Sequence, residues 1–375
     1  MKNGRIERIE WARLIAERPR VAGGNARLGV HGKETPVELV RIAVDGETAF
    51  GWSRISRTEA EGFLGLKVDE VIDGNGLVYP QYRRLEFPLM DWRGRAAGKP
   101  VYALVGDGAQ SEPYSVRCYD TTLLIDDLDI ADDAEAVRLI QDEARDGLVR
   151  GHRAFKIKVG RGAMHMPLRD GTRRDIAVVE GVREVVGSDP LLMLDANNGY
   201  NLNLTKEVLA ATEDVGIYWM EEAFHEDPAL YGELQRWLDE RNMPTLISDG
   251  EGDAASSLIS QAQRGLIDVI QYDIRMYGFN NWLELGANLD RDGIRSAPHN
   301  YGGLYGNYAA CHLAAGIDNF LLVEWDEAQA PGVDTSRYAI VDGRVQVPSD
   351  PGFGLELDDR YFTQCVKNEG WSVAL

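Results

Sequence analysis

Phe155-Lys156-Ile157-Lys158-Val159-Gly160 alternates apolar and cationic residues with a period of two, which places Lys156 and Lys158 on one face of a short β-strand. Two ammonium groups on one face need anions nearby. Segments bearing them follow: Leu194-Asp195-Ala196-Asn197, Met220-Glu221-Glu222 and Ser248-Asp249-Gly250-Glu251, and then Tyr272-Asp273, Pro298-His299 and Val323-Glu324-Trp325. Each closes an apolar run and precedes small or polar residues. From Lys158 onward these ends recur at roughly 20 to 40 residues, the length of one strand plus one crossover helix in a barrel of parallel strands. Charged residues at successive strand ends predict a barrel mouth.

The intervening segments fit. Stretches 134–147, 176–186, 204–215, 229–241 and 256–264 read as helices, and strands alternating with helices imply parallel pairing with right-handed crossovers. Eight strands are predicted near Val116, Ile157, Met193, Trp219, Ile247, Ile270, Arg295 and Leu322. Residues before Ser115 have a different grammar, that of a mixed α+β unit. It has a first strand within 6–15, a hairpin over 37–50 turning at Asp45-Gly46, helices over 58–72 and 82–98, and a closing turn at Gly106-Asp107-Gly108. Between strand and hairpin, residues 18–32 are basic and glycine-rich, which reads as a surface loop or as a lid. After the eighth strand, 336–347 is a second hairpin with Asp342-Gly343 at its turn.

Composition narrows the function. A formal net charge of −21 opposes binding to nucleic acid and to anionic membrane surfaces. With 44% hydrophobic and 27% charged residues, the 375-residue chain has the composition of a folded globular protein. Cys118, Cys311 and Cys365 form no CxxC pair, so a thiolate metal site and a disulfide framework are both disfavoured, and a reducing cytoplasm is expected. The amino-terminal residues show no signal core.

Taken together, these strand ends resemble those of the mandelate racemase subgroup of the enolase superfamily. The resemblance is strongest from Phe155 to Trp325 and extends to Met90-Asp91-Trp92-Arg93-Gly94-Arg95 and Pro100-Val101-Tyr102-Ala103-Leu104-Val105-Gly106. It implies an α/β fold: a (β/α)7β TIM-like barrel over residues 115–330, capped by an α+β domain built from residues 1–114 and completed by 331–375. It also implies a homo-oligomer, and a mobile lid whose Arg20, Asn25, Arg27 or His31 reaches a substrate. Two segments depart from the family pattern, Gly51-Trp52-Ser53-Arg54 and Ala223, where the family usually has proline.

Asp195, Glu221 and Glu251 are hard oxygen donors on three successive strands, a set that suits Mg²⁺ and not zinc. The resemblance selects Glu221 over Glu222. Strict alternation would put Asp249 on the same face as Glu251, leaving Asp249 as the alternative third ligand. A cation there would stabilise the enediolate formed when a proton α to a carboxylate is removed, and Lys156 would neutralise the carboxylate further. Lys158 is expected to act as a base if its pKa is lowered, and His299, oriented by Asp273, as a second acid or base. Glu324 is expected to donate a proton if its pKa is raised. Asn197, Tyr200, Arg275 and Asn300 crowd the same ends and suit a polyhydroxylated small-molecule carboxylate. The leading expectation is dehydration of a sugar acid to a 2-keto-3-deoxy acid. Racemisation or epimerisation of a 2-hydroxy acid, sugar-lactone cycloisomerisation, and a catalytically silent sugar-acid-binding protein are the alternatives.

Overall fold

The computed structural model describes residues 4–107, 113–252 and 254–375. Gly108, and with it part of the turn expected at Gly106-Asp107-Gly108, lies outside the described residues. The strands in chain order are β1 (Ile6–Ala22), β2 (Gly32–Val44), β3 (Glu47–Trp52), β4 (Ser115–Leu123), β5 (Ala154–Lys158), β6 (Leu191–Asp195), β7 (Ile217–Glu221) and β8 (Leu246–Asp249), followed by β9 (Val269–Ile270), β10 (Arg295–Ser296), β11 (Val323–Trp325), β12 (Val333–Asp334), β13 (Ala339–Val341), β14 (Arg344–Gln346), β15 (Glu356–Leu357) and β16 (Trp371–Ala374).

Strands β4 to β10 pair in parallel in sequence order, and β11 pairs in parallel with β4, giving a run of eight. The two ends of the run approach each other. Ser296 of β10 forms a parallel bridge with Phe320, just before β11, donating its N–H to the Asn319 carbonyl and accepting from Leu321. All eight expected strand positions fall in or beside these elements. The helices between them, Asp133–Val149, Leu168–Val186, Leu202–Ala211, Pro228–Glu240 and Leu258–Gln263, cover the expected helical stretches. Further helices at Phe279–Asp292 and Leu304–Leu313 complete the alternation.

A second sheet has the order β16-β1-β2-β3, so the last strand of the chain lies against the first. The Asp45-Gly46 turn is formed as read, both residues having positive φ (49° and 76°), as a two-residue hairpin requires. Asp342-Gly343 repeats this at the turn between β13 and β14 (48° and 73°). Two expectations change here. Strand β1 continues to Ala22, because its cross-strand ladder with β2 persists through Glu17 and resumes at Ala22, so the first five residues of the expected loop, 18–22, are strand. The helix expected over 58–72 is two short ones, Arg57–Glu61 and Val68–Val71, separated by Gly62 and Gly65, the latter at φ 79°.

Asp91 ties three parts of the chain together. Its buried carboxylate accepts from Phe50 N–H (3.1 Å), Phe353 N–H (2.9 Å) and Arg95 Nε (2.8 Å). Asp91→Ala should therefore strand two buried backbone donors and a guanidinium, lowering the unfolding free energy by about 3 kcal/mol. A urea titration with unchanged slope measures this, and a midpoint equal to that of the parent chain would contradict it.

Candidate active site

The parallel run carries two successive rings of side chains. Tyr119, Ala154, Met193, Trp219, Val269, Ala297 and Leu322 form one buried apolar cluster, with Leu246 packed against it. Two residues further along each strand stand Thr121, Lys156, Asp195, Glu221, Gln271, His299, Glu324 and, after Leu246, Ser248. Period-two alternation returns each strand to the same face after two residues, so the chemistry sits on an apolar floor. Lateral register aligns it further, pairing Lys158 with Asp195, Asp195 with Glu221, and Glu221 with Ser248.

Lys156 is fully buried, with Nζ 2.7 Å from Glu221 Oε1, 3.0 Å from Glu324 Oε1 and 3.3 Å from Asp195 Oδ2. Burial works against its charge, but Glu221 and Glu324 outweigh it and hold the ammonium well above its usual range. Lys158 donates to Asp195 Oδ2. Its pKa also rises, burial being overcome by Asp195, so the condition set for Lys158 as a ready base is not met in this state. The reason is that like charge from Lys156 is weaker than the carboxylate in direct contact.

Ligand atoms of Asp195, Glu221 and Glu251 all lie within 4.8 Å of one another. Trp219 Nε1 and Gln271 Nε2 each donate to Glu221 Oε2 at 3.0 Å, fixing that carboxylate. Glu251 Oε2 is buried without a hydrogen-bond partner. Burial and the Asp195 charge push Glu221 up to about 8, which marks an excess of negative charge in the cluster. An all-oxygen donor set with excess charge and an unpartnered carboxylate oxygen fits a hard divalent cation.

The alternation argument for Asp249 fails. Strand β8 ends at Asp249 and Gly250 takes φ 127°, so the chain turns before Glu251. Asp249 instead accepts from the Tyr231 hydroxyl of helix Pro228–Glu240 and is absent from the triad. Glu222 is likewise turned away from Glu221 by its φ of 41° and accepts from Asn197 Nδ2 at 3.2 Å.

His299 places Nδ1 3.0 Å from Asp273 Oδ2, and Nε2 3.4 Å from Glu251 Oε1 and 4.0 Å from Glu324 Oε2. Burial lowers its pKa, yet Glu251, Glu324 and Asp273 together lift it to about 9. Asp273 also accepts from Arg275 N and Met276 N at the start of the helix Ile274–Tyr277, so its position is set by backbone as well as by imidazole. Glu324 accepts from Thr121 Oγ1 and Asn300 N, both at 2.6 Å. Burial raises it, but Lys156 and His299 pull it down to about 2, so Glu324 is a carboxylate here and not the proton donor expected of it.

Among the residues expected to bind hydroxyls, Asn197 lines a cavity of about 350 Å³ with Asn25, Arg27, Glu222, His225 and Glu251. Its Oδ1 is buried and unpartnered. The other three have internal partners, although Asn300 Oδ1 and Arg275 Nε are themselves buried without one among the described residues. Tyr200 donates to Asp175 Oδ2 (2.8 Å), Arg275 reaches Asp273 (3.2 Å) and the Tyr301 and Gly302 carbonyls, and Asn300 donates to Asn307 Oδ1 (2.6 Å). Arg20 is also held away, clamped on Glu143 (3.0 Å) and Thr122. His31 does reach the mouth, where the charges of Lys158 and Glu251 act on it and burial keeps it below the usual imidazole range. Sequence reading missed Thr121 and Gln271, although both stand two residues beyond inward apolar residues.

In metal-free protein the two imidazoles should therefore differ. NMR titration should find His299 protonated at pH 7.5 with a midpoint near 9, and His31 neutral. Because the folded value of His299 lies above the usual 6.5, its stabilising contribution is complete below pH 6.5 and fades as pH rises through 9. Asp273→Asn should lower that midpoint, and an unshifted midpoint would contradict the assignment.

Known proteins resemble this chain in sequence and in fold. The enolase C-terminal domain-like family matches residues 139–361. A Geobacillus sp. galacturonate dehydratase, solved with D-galacturonate and 5-keto-4-deoxy-D-galacturonate, is 50% identical, with 99% of each chain covered and a TM-score of 0.96. A mandelate racemase/muconate lactonizing protein from Geobacillus sp., solved with magnesium and tartrate, is 49% identical over 100% of this chain and 98% of its own, with a TM-score of 0.98. More distantly, the D-galactarolactone cycloisomerase of Agrobacterium fabrum is 27% identical over 77% of this chain and 74% of its own.

Proposed function

Since the chain belongs to the enolase superfamily, in its mandelate racemase subgroup, we propose that it is a Mg²⁺-dependent sugar-acid dehydratase. The observation that carries this reading is that two acid–base side chains flank one acid triad from different members. Lys158 contacts Asp195, and His299 stands 3.4 Å from Glu251. We read the bridged eight-strand run as the (β/α)7β barrel, and residues 1–114 with 331–375 as its cap.

Asp195, Glu221 and Glu251 would hold Mg²⁺, which supplies Lewis-acid stabilisation of the enediolate. Lys156, held charged by Glu221 and Glu324, adds positive charge beside the substrate carboxylate. With Asp195 and Glu251 engaged by the cation, the charges that hold Lys158 and His299 protonated would be reduced; one of the two then removes the proton α to that carboxylate, and the other protonates the β-hydroxyl as it leaves. Water departs, and the enol left behind ketonises to a 2-keto-3-deoxy acid. In D-galacturonate the carbon α to the carboxylate is C5 and the leaving hydroxyl is on C4. The same two bonds therefore break in forming 5-keto-4-deoxy-D-galacturonate, the compound seen in the relative.

The ion pairs change which variant tests the metal. Asp195→Asn removes the partner of a buried lysine, which is destabilising in itself. Glu251, with 23% of its side chain exposed, is the cleaner position. Glu251→Gln should keep the fold and lose Mg²⁺ affinity by calorimetry along with turnover; undiminished turnover after chelation would remove the metal from the reading. For the two bases, we expect Lys158→Ala and His299→Asn each to abolish dehydration. One variant should retain exchange of the α-proton in D₂O, because enolisation precedes loss of the hydroxyl. Exchange at the parent rate in both would falsify the assignment of the base to this pair.

A further inference from the structure

Arg20 and two carboxyls fasten the β1–β2 arm to the barrel. Arg20 Nε lies 3.0 Å from Glu143 Oε1 and 3.7 Å from Asp126 Oδ2, while Nη2 donates to Glu143 Oε2 at 3.1 Å and to the Thr122 carbonyl. Asp126 Oδ1 accepts from the Gly23 N–H. Beyond this clamp the arm rests on the loops of the site. Gly24 and Ile125 exchange backbone hydrogen bonds (3.1 and 3.0 Å), and the Asn25 carbonyl lies 2.7 Å from His165 Nε2. Ala26 is buried so close to Gly160 and Gly199 that a Cβ on either glycine would stand within 2.6 Å of its own. Those glycines follow Lys158 and Asn197 by two residues.

The two carboxyls that share Arg20 are also in hydrogen-bond contact with each other. Ionised carboxylates only accept, so that contact requires a proton. Asp126 Oδ2 agrees, being buried with no N–H or hydroxyl donor on it among the described residues. With the proton in place the cluster holds one positive and one negative charge; without it, a second buried carboxylate has no cation of its own. The neighbours do not supply one. Asp127, next to Asp126, is taken by Arg161 (2.6 Å) and Arg174 (3.5 Å), and Arg18 faces Asp326 and the Tyr301 ring. Tyr301, which the Asp126 charge also reaches, is pushed up by burial and stays a neutral phenol. Burial and the Asp126 charge push Glu143 up to about 9 against the pull of Arg20, which places the proton on Glu143.

We propose that Asp126 and Glu143 are positioning residues that hold Arg20, and through it the arm, as a proton-linked latch: seating the arm over the mouth takes up one proton. What the latch positions is Asn25 and Arg27, which the seated arm adds to the cavity wall beside Glu251. With the arm lifted, Glu143 would meet water and ionise in the ordinary carboxylate range. Because its value under the seated arm lies above the usual 4.5, the proton's contribution to seating is complete below pH 4.5 and is lost as pH rises through 9.

Hydrogen exchange of the full-length protein follows the latch without substrate or metal, and so independently of the reaction proposed above. Protection of the Gly24, Ile125 and His31 amides, corrected for intrinsic exchange, should fall by up to about tenfold for each pH unit from 6 to 8.5 in the parent chain. Glu143→Gln supplies the same donor and acceptor at every pH and should lose that slope, with His31 and His165, the imidazoles at the arm, unchanged in both chains. Asp126→Asn leaves one carboxyl for one guanidinium and should lose it too, which keeps the test decisive where the first variant fails to fold by circular dichroism. Amides of β5 report opening of the barrel itself and should not follow the arm. A parent profile without slope, a folded Glu143→Gln variant with the parent's slope, or β5 amides that change in step with the arm would each overturn the latch.

Discussion

Lys156 is the constraint on which the upper half of the parallel run depends. An ammonium with no exposure is tolerated only where carboxylates surround it, and Glu221, Glu324 and Asp195 do so from three other strands. Its contacts pull together β5, β6, β7 and β11, which are not all neighbours in the sheet. The tie therefore crosses the interior instead of following its wall. Below it, the Tyr119–Trp219 edge contact at 5.4 Å and the surrounding apolar residues exclude water and keep these charges strongly coupled.

The same coupling explains why the site is poised for a cation. Lys156, Lys158 and a protonated His299 face Asp195, Glu221, Glu251, Asp273 and Glu324, so acids outnumber bases. The surplus shows in the raised Glu221 carboxyl, while Glu324 and Asp273, each beside a cation, are held low. Neutral donors finish the arrangement: Trp219 and Gln271 fix Glu221, and Thr121 and the Asn300 N–H fix Glu324. Glu221 and Glu324 are thereby aimed before any ligand arrives.

Around this centre, the segments before β4 and after β11 act as support. The long β1–β2 pair reaches the mouth and bridges it twice, at Glu17 with Gln329 and at Gly24 with Ile125. Arg20 is consumed in making that attachment, through Glu143 and Thr122, while Asn25 and Arg27 at the arm's tip line the cavity and His31 comes within reach of Lys158 and Glu251. Asp273 works similarly at the opposite loop, holding a helix start, the Arg275 guanidinium and the His299 ring with one carboxylate.

Local pattern alone determined the parallel strands and the acids and bases at their ends. Period two in Phe155-Lys156-Ile157-Lys158 and the repeated strand–helix interval need no knowledge of neighbours. The two Asp-Gly hairpin turns were equally legible, because φ > 0 at both positions is a property of the residues themselves. Protonation states and pointing directions were not. Whether Lys158 or Glu324 is charged depends on which opposite charge lies closest in space, and contacts between β5 and β6 or between β5 and β11 are invisible in a linear reading. Alternation left Asp249 and Glu251 on one face and could not separate them; the glycine between them, at φ 127°, ends the strand, and Glu251, the residue the family resemblance selected, is the one in the triad. Tyr200, Arg275, Asn300 and Arg20 had the right chemistry and nearby positions, but each found a closer internal partner. Only tertiary packing decides which polar side chains are spent on the fold and which, like Asn197 on the cavity wall, keep an unpartnered polar atom.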